Sequence, residues 1–304
     1  MTSFFKKVSR LRTPSGVAIE ACAFIGSSPI RRFAEDWSLD TMLRNVEESV
    51  TALTKAGLPV MFVTEDTTRA DPETLAKLYE TAIGAGARRI CVSDTSGHAT
   101  PEGVRNLLTF VRDEVVRGRP VKVDFHGHND RGLGTINALT ATALADRVHG
   151  CALGIGERVG NCSMDQLLVN MRLWGLIERD LTPLVEYVAL VSEHCGVPIP
   201  PNYPALGADA FRTGTGVHAA AVVKALRKND RALADRVYSA VPASVVGREQ
   251  RIEVGPMSGE SNVVHWLQSH GFDPTRERIA RLFDAAKASD RLLTDEELAK
   301  LALP

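Results

Sequence analysis

The sequence lacks the features that would assign it to a membrane or to a strongly charged surface. No uninterrupted apolar run reaches the roughly 18 residues that a membrane-spanning helix needs. Its 36 lysines and arginines balance 37 aspartates and glutamates, so no excess charge of either sign is available for nucleic acid or a lipid surface. With 44% hydrophobic and 24% charged residues, the 304-residue chain is predicted to form a soluble globular protein, either one large domain or a domain with a smaller appendage.

Cysteine is scarce, and its five positions follow no motif. The residues are odd in number, scattered, and never spaced as C-x-x-C. This pattern indicates free thiols in a reducing compartment, so we expect a cytoplasmic protein. The amino terminus, MTSFFKKVSRLR, is basic and lacks the apolar core of a secretory signal. We expect a short amphipathic helix there, and a transit peptide is the alternative.

Short apolar segments alternate with longer segments of helical periodicity in the first part of the chain. The apolar segments lie at residues 17–26, 59–66, 89–94, 121–128 and 146–155, and the helical ones at 38–57, 71–86, 100–116, 134–145 and 163–177. Ser38, Asp71 and Thr100 provide helix-start signals, the last two with a proline directly behind them. Five strand–helix units predict a parallel sheet, because each crossover helix returns the chain in the same direction.

Polar and glycine-rich residues gather where the predicted strands end. They are Glu65-Asp66, Asp94-Thr95, residues 126–130 and residues 154–161. In α/β barrels and open parallel sheets alike, the carboxyl ends of the strands form the active face. We therefore expect these residues to share one edge of the sheet. After residue 180 the strand pattern fades, and residues 181–304 are predicted to be mainly helical.

His126 and His128 are the strongest candidates for a metal site. They are two residues apart at the end of a predicted strand, so their side chains point to the same side. Neutral imidazoles are good ligands for Zn²⁺, Mn²⁺ and other transition metals. The alternative for an isolated His-x-His pair is one packed and one surface histidine. The neighbouring strand-end carboxylates favour the metal site.

Three further segments carry polar residues of interest. In GIGERVGN (154–161), three glycines surround Glu157, Arg158 and Asn161, which suits ligand binding, and a loop with a surface ion pair is the alternative. The Thr95 hydroxyl is able to hydrogen-bond a carboxylate, whereas the neighbouring Asp94 is expected to cap a helix. His218 lies in the helical part and gains a catalytic role only if that segment folds over the active face.

These motifs together resemble a known family. HGHNDRGLGTINALTA followed by GIGERVGN resembles the metal-dependent Claisen-condensing enzymes of the DRE-TIM metallolyase superfamily, which include 2-isopropylmalate, homocitrate and citramalate synthases. FVTEDTTRADPETL, SDTSGHATPE, TGVHAAAVVKAL and VGREQRIEVGPMSGESNV are similar to other segments of the same family. The resemblance covers residues 17–270.

For the fold, the resemblance implies a TIM barrel followed by a helical subdomain. The first recognisable strand, VAIEACAFIG, matches the family's fourth, and the family's Arg-Asp signature strand is not found. We therefore expect the five C-terminal strand–helix units of a barrel, with residues 1–180 as a partial TIM-barrel catalytic domain and residues 181–304 as a mainly helical C-terminal subdomain. A late start of the gene model, a second polypeptide that supplies the missing strands, and a different role for the fragment are the three explanations.

For the chemistry, the resemblance implies an acyltransferase that condenses acetyl-CoA with a 2-oxo acid. It implies a divalent cation (Mn, Mg, Zn or Co) bound by His126, His128 and Asn161. It implies catalytic roles for Glu65 and His218, the latter often delivered from a neighbouring subunit, and substrate binding by Thr95, Arg31 and Glu157. Without the family's aspartate ligand, we expect the chain alone to bind Mn²⁺ or Zn²⁺ weakly in isothermal titration.

The choice of 2-oxo acid follows from two apolar positions. Met61 and Val63 stand where homocitrate synthases tend to use polar residues, including an arginine for the distal carboxylate of 2-oxoglutarate. An unpaired carboxylate there would cost several kcal/mol. We therefore expect 2-oxoisovalerate as substrate and 2-isopropylmalate as product, as in leucine biosynthesis. Arg31 replaces a histidine of many relatives, which leaves the details of the pocket open.

Other functions and partners remain as alternatives. A homocitrate or citramalate synthase, a related aldolase or lyase, and a non-catalytic partner subunit of a split synthase are the competing assignments. We expect a homodimer, or a complement by a chain that carries the N-terminal barrel strands. Neither nucleic acid nor a membrane is expected as a partner.

Overall fold

The computed structural model of the protein describes residues 17–303. Residue contacts divide the chain into two compact units that meet in sequence between Asn170 and Met171. We call them the sheet unit and the helical unit. The predicted N-terminal amphipathic helix lies outside the described residues, and the assignment of a catalytic domain up to residue 180 stays a prediction.

The sheet unit contains five parallel strands in sequential order. They are β1 (Ala21–Gly26), β2 (Val60–Glu65), β3 (Arg89–Asp94), β4 (Lys122–Gly127) and β5 (Arg147–Val148). Each strand pairs with the next along the chain, as successive strand–helix units require. The predicted parallel α/β architecture is confirmed.

Helices connect the strands, and five of the six begin within one residue of a predicted start, whereas the helix Pro29–Ala34 was not predicted. They are α1 (Pro29–Ala34), α2 (Leu39–Lys55), α3 (Pro72–Gly84), α4 (Pro101–Phe110), α5 (Gly134–Ala141) and α6 (Met164–Leu173). The side chains of Ser38, Asp71 and Thr100 each accept a hydrogen bond from the backbone N–H three residues further on. These bonds satisfy N–H groups that have no partner within the first turn of a helix. Behind α4 the chain continues as a π-helix (Val111–Val116).

The two faces of the sheet differ in burial. On β2 the even-numbered residues 60–64 are buried, whereas Met61, Val63 and Glu65 point to the opposite face and are half-buried. Phe24 on β1 is in register with Val63 and is 71% exposed. We call the face that carries Phe24, Met61, Val63 and Glu65 the open face. Parallel sheets are usually covered on both faces, whereas in the described residues this face is uncovered at Phe24.

An ion-pair network around one buried carboxylate lies on the same side of β4. Asp124 is fully buried and is in register with Arg147 of β5. Its carboxylate accepts hydrogen bonds from Arg89 Nη1 at 2.6 Å, Arg147 Nε at 2.7 Å and His149 Nε2 at 3.0 Å. Burial by itself would raise the pKa of Asp124, but the hydrogen bonds from His149, Arg89 and Arg147 hold that pKa below its usual value.

At the amino end of β4, Asp146 ties the strand to its neighbours. Its carboxylate accepts from the Val123 backbone N–H at 2.8 Å, from Lys122 Nζ at 2.9 Å and from Arg112 Nη2 at 2.6 Å. Burial opposes ionisation, yet these three donors lower the pKa of Asp146. The carboxylate therefore stabilises the fold above its ordinary pKa, and this contribution is lost as pH falls through the lowered folded-state pKa.

We expect Asp146→Asn to lower the free energy of unfolding by about 1–3 kcal/mol at pH 7, because an amide replaces a charged acceptor. The difference from wild type should shrink as pH falls below about 4, where the carboxyl group of the unfolded chain becomes protonated. Urea unfolding at pH 7 and pH 3 measures both effects. An equal difference at the two pH values would contradict the role of the ionised carboxylate.

The helical unit is built mainly from helices that the sequence predicts in outline. They are α7 (Leu184–Cys195), α8 (Gly216–Arg227), α9 (Arg231–Ala234), α10 (Glu260–Ser269), α11 (Arg276–Ala288) and α12 (Asp295–Ala302). Two short strands that the sequence analysis missed, β6 (Arg212–Thr213) and β7 (Arg251–Ile252), pair in parallel. Leu267, Leu282 and Leu298 belong to one buried core. From residue 17 to residue 303, no helix combines the length and apolar character needed to cross a bilayer.

Candidate functional site

The two histidines of the His-x-His segment lie together at the carboxyl end of β4. Their ring centroids are 5.2 Å apart, and the ring planes stand at 82°. His128 is further held by a hydrogen bond from its backbone N–H to the carbonyl oxygen of Asp94, at 3.1 Å. A third imidazole, His149, has its ring centroid 5.7 Å from that of His126, and its Nε2 donates to Asp124 Oδ2 at 3.0 Å. His149 lies in no recognisable motif and was not predicted from the sequence.

Burial controls the charge of His126. Desolvation, together with the neighbouring His149 and His128, lowers the pKa of His126 to about 4. The imidazole is therefore neutral at physiological pH. Neutral imidazole is the form that ligates metal ions.

Asn161 meets His128 through the loop 154–161. The two residues form an isolated antiparallel bridge. The Asn161 Nδ2 group donates to the carbonyl oxygen of Ile155 at 3.0 Å, which directs the side-chain oxygen away from that contact. Asn161 Oδ1 and His128 Nδ1 are both buried and have no hydrogen-bond partner in the structure.

Buried polar atoms without a partner are rare, and such atoms mark positions where a ligand can bind. The two orphaned atoms are an imidazole nitrogen and an amide oxygen, which fit a divalent transition metal. Within residues 17–303, no group of three or more His, Cys, Asp or Glu side chains is arranged to hold a metal ion. The candidate donors at this strand end are two imidazoles and one amide.

The segment that leads into the loop 154–161 departs from the predicted strand. The sequence predicts a strand over residues 146–155, but β5 ends at Val148. Residues Ala152–Gly154 form a 3-10 turn in which Leu153 adopts a left-handed conformation with φ of 57°. The backbone thereby leaves the sheet, and the Leu153 N–H bonds Asp165 Oδ1 at 2.8 Å instead of a neighbouring strand. An apolar run alone did not reveal this turn.

Glu65 ends β2 on the same face as His126. Val63 pairs with Cys91, and Cys91 pairs with Asp124, so two residues further on Glu65 and His126 project from the open face with β3 between them. At the usual strand spacing this places their strands roughly 10 Å apart. The structure therefore brings the predicted catalytic carboxylate and the histidines to one edge.

Arg31 lies against Glu65. Its Nε is 3.3 Å from Glu65 Oε1, and its guanidinium also pairs with Glu35. The stem of Arg31 passes over Gly26, where a Cβ atom would overlap Arg31 Cγ. Arg31 is thus seated on the backbone of β1 beside the predicted catalytic carboxylate.

Thr95 and Asp94 end β3 between these groups. The Thr95 hydroxyl accepts from the Asp66 N–H at 2.8 Å, which leaves its proton to donate. Asp94 accepts from the backbone N–H groups of His98 and Ala99 and from the Thr68 hydroxyl. Asp94 therefore caps the turn that precedes α4, whereas the N-cap of α4 itself is Thr100, so the expectation that Asp94 caps a helix is wrong.

Two predicted site residues lie apart from this cluster or outside its unit. The Glu157 side chain is 86% exposed at the tip of the loop 154–161, so the structure does not bring it to the histidines. His218 is exposed on α8 of the helical unit, and its ring centroid is 4.2 Å from that of Tyr238. Tyr238 was not predicted from the sequence, because it stands 20 residues further along in a segment without a motif.

A sheet of parallel strands with histidines, an amide oxygen and a carboxylate at its carboxyl ends defines an α/β protein with a candidate ligand site at that edge. The profile of the HMGL-like family matches residues 18–191. The chain therefore belongs to the HMGL-like family, which confirms the resemblance described above.

Comparison with curated proteins finds synthases of this family. The chain is 33% identical over 268 residues to a probable 2-isopropylmalate synthase of Methanopyrus kandleri, covering 87% of this chain and 51% of that protein. It is 31% identical over 270 residues to a homocitrate synthase of the same organism, covering 87% of this chain and 65% of that one. The chain thus spans half to two thirds of the length of these relatives.

Among solved structures, the fold is similar to that of hydroxymethylglutaryl-CoA lyase from Pseudomonas aeruginosa. The TM-score is 0.52 at 20% sequence identity, covering 65% of this chain and 68% of the lyase. At this identity the similarity concerns the fold alone.

Proposed function

We propose that the chain supplies the metal and substrate residues of an acyltransferase that condenses acetyl-CoA with a 2-oxo acid. The observation that carries the proposal is the pair of orphaned buried atoms, His128 Nδ1 and Asn161 Oδ1, next to the neutral imidazole of His126. The names of the related synthases support the same chemistry.

His126, His128 and Asn161 would hold a divalent cation (Mn, Mg, Zn or Co), which as a Lewis acid would polarise the carbonyl of the 2-oxo acid. The chain's own residues would do the rest. Thr95 has a free hydroxyl proton for a substrate carboxylate. Glu65 offers a partly exposed carboxylate that is able to accept a proton, and the neighbouring Arg31 orients it. His218 of the helical unit, whose ring centroid lies 4.2 Å from that of Tyr238, is the further catalytic group in this proposal.

The open face favours 2-oxoisovalerate, and hence 2-isopropylmalate as product, because Met61 and Val63 offer no partner for a second carboxylate. One observation supports a different substrate. Arg147 Nη2 lies 3.4 Å from Met61 Sδ, so an arginine is present beside this position. Although the guanidinium of Arg147 is already paired with Asp124 and Glu20, its position beside Met61 makes a 2-oxo dicarboxylate, as in a homocitrate synthase, the second candidate.

The open face also indicates which polypeptide segments the chain needs as partners. Phe24 is 71% exposed on a face that parallel sheets usually cover. We infer that further barrel strands, from a longer chain or from a second polypeptide, close over this face and complete the barrel, and that the complete enzyme is a dimer. The five free cysteines support a cytoplasmic location. A non-catalytic partner subunit is the alternative role for a chain with this face.

Release of CoA from acetyl-CoA tests the proposal. The chain, alone and mixed with the amino-terminal barrel half of a related synthase, is incubated with Mn²⁺ and 2-oxoisovalerate, 2-oxoglutarate or pyruvate. Chromatography of CoA avoids interference from the protein's own thiols. We expect release with 2-oxoisovalerate and a loss of about 100-fold or more in Glu65→Gln, which keeps the size of the side chain but not its basicity.

The outcomes separate the candidates. Preferred release with 2-oxoglutarate would favour the homocitrate reaction and a role for Arg147. Preferred release with pyruvate would favour the citramalate reaction. No release with any of the three acids, in the presence of the complementing half, would contradict the synthase assignment.

A further inference from the structure

Arg158 makes contacts that span the carboxyl ends of two strands. Its Nε donates to Asp130 Oδ1 at 2.8 Å, and its Nη2 donates to Asp130 Oδ2 at 3.0 Å. The same Nη2 donates to the backbone carbonyl of Thr95 at 2.6 Å. Thr95 follows β3 and Asp130 follows β4, so one guanidinium from the loop 154–161 joins three segments of the site edge.

The backbone of Arg158 is strained, which indicates that the contacts around Arg158 hold it in place. Its φ is 58°, in the left-handed region that residues with a Cβ atom rarely adopt. Such strain persists only where the surroundings hold the residue in place, and it gathers at functional sites. The Arg158 and Asp130 side chains are 42% and 26% exposed, and exposed ion pairs contribute little to global stability.

The same loop determines where Asn161 lies. The Gly160 N–H donates to Glu157 O at 2.9 Å, and the Asn161 N–H donates to Gly154 O at 2.8 Å, which closes the loop at its base. Gly160 O in turn accepts from the Asn129 N–H at 3.0 Å, next to His128. The conformation of this loop therefore sets the position of Asn161 Oδ1 relative to His128 Nδ1, the two orphaned atoms.

We propose that Arg158, through Asp130 and the Thr95 carbonyl, is a positioning residue for the metal site. It holds the loop 154–161 in the conformation that presents Asn161 Oδ1 beside His128, and it acts through Asn161 without being a ligand itself. The inference rests on the proposed function, because it concerns the same metal site. Groups that orient metal ligands affect metal affinity although they do not touch the ion.

The test uses three variants of the full chain. Arg158→Gly removes the guanidinium while allowing the left-handed backbone, so any effect is not caused by new strain. Arg158→Lys keeps the charge but loses the planar fork that bonds Asp130 at two points. Arg112→Ala is the matched control, because Arg112 also joins a carbonyl and a carboxylate, Leu144 O at 2.8 Å and Asp146 Oδ2 at 2.6 Å, at the other end of the strands.

Three quantities are measured: amide hydrogen exchange of the metal-free peptide covering residues 154–162, Zn²⁺ affinity by competition with a chromophoric chelator, and the thermal midpoint. In Arg158→Gly we expect faster exchange in this peptide and a Zn²⁺ affinity lower by about tenfold or more, with little change in the thermal midpoint. Arg158→Lys should lie between this variant and wild type. Arg112→Ala should lower the thermal midpoint and leave both the exchange of this peptide and the Zn²⁺ affinity unchanged.

Each other outcome overturns a defined part of the proposal. Wild-type Zn²⁺ affinity in Arg158→Gly overturns the positioning role alone, and so does an equal loss of affinity in Arg112→Ala, which would reflect general destabilisation. Absence of Zn²⁺ binding in the wild-type chain overturns the metal site itself, and the positioning role with it. The CoA-release assay with the complementing half is independent of these results and judges the proposed reaction separately.

Discussion

Replacing His128 by alanine is expected to abolish measurable Zn²⁺ binding. Removal of a group that only hydrogen-bonds a metal ligand lowers metal affinity by about 10- to 100-fold, and the loss here should be larger. His128 contributes one of the two orphaned buried atoms, and its ring packs edge-to-face on His126 at 5.2 Å. Without it, one imidazole and one amide oxygen remain, which is too few donors to compete with water for the cation.

Isothermal titration of the wild-type chain and the variant measures this loss. His194→Ala is the control, because His194 is an exposed histidine on α7 of the helical unit whose Nδ1 is hydrogen-bonded to Leu190 O. It should bind Zn²⁺ as the wild type does. Equal binding by His128→Ala and wild type would place any metal elsewhere in the protein. Loss of binding in His194→Ala would mean that surface histidines account for the signal.

Replacing Gly160 by alanine is expected to have the largest effect on stability, a loss of more than about 3 kcal/mol in the free energy of unfolding. Gly160 has a φ of 94°, and a Cβ atom there would overlap the carbonyl oxygen of Gly154. That oxygen accepts the N–H of Asn161 at 2.8 Å, so the loop cannot close and hold an alanine at the same time. Displacement of Asn161 should also remove Zn²⁺ binding.

Gly132→Ala separates backbone strain from steric overlap. Gly132 also has a positive φ, 71°, but nothing lies within 4 Å of the position of its Cβ atom. We expect this control to cost about 1–2 kcal/mol, the usual penalty of a left-handed residue with a side chain. Urea unfolding of both variants gives the comparison. Equal losses would show that the overlap with Gly154 is relieved by a small backbone shift.

The strand–helix order of the sheet unit is predictable because its signals are local. Apolar alternation, the capping residues Ser38 and Asp71, and the prolines behind them act within one or two turns of the chain. The site histidines are predictable for a similar reason, since a strand places residues two apart on one side. The limits of β5 were wrong because the apolar run over residues 146–155 contains the turn at Leu153.

The pairs that give the site its charge pattern were not predictable. Arg31 and Glu65 are 34 residues apart in sequence, and Asp130 and Arg158 are 28 apart. No motif links the members of either pair. They meet because parallel strands carry successive loops to the same edge of the sheet, and which side chains then touch depends on the conformation of each loop.

The sequence by itself determined the class of fold, the family and the cluster of donor residues at the strand ends. Periodicity, capping and short motifs are properties of neighbouring residues, so they can be recognised from a short segment of the chain. Only the tertiary structure decided that His128 Nδ1 and Asn161 Oδ1 are left without partners, that Glu157 points to solvent, and that Arg158 spans two strand ends. Burial and hydrogen bonding are settled by packing between segments distant in sequence, so they emerge only when the strands are assembled.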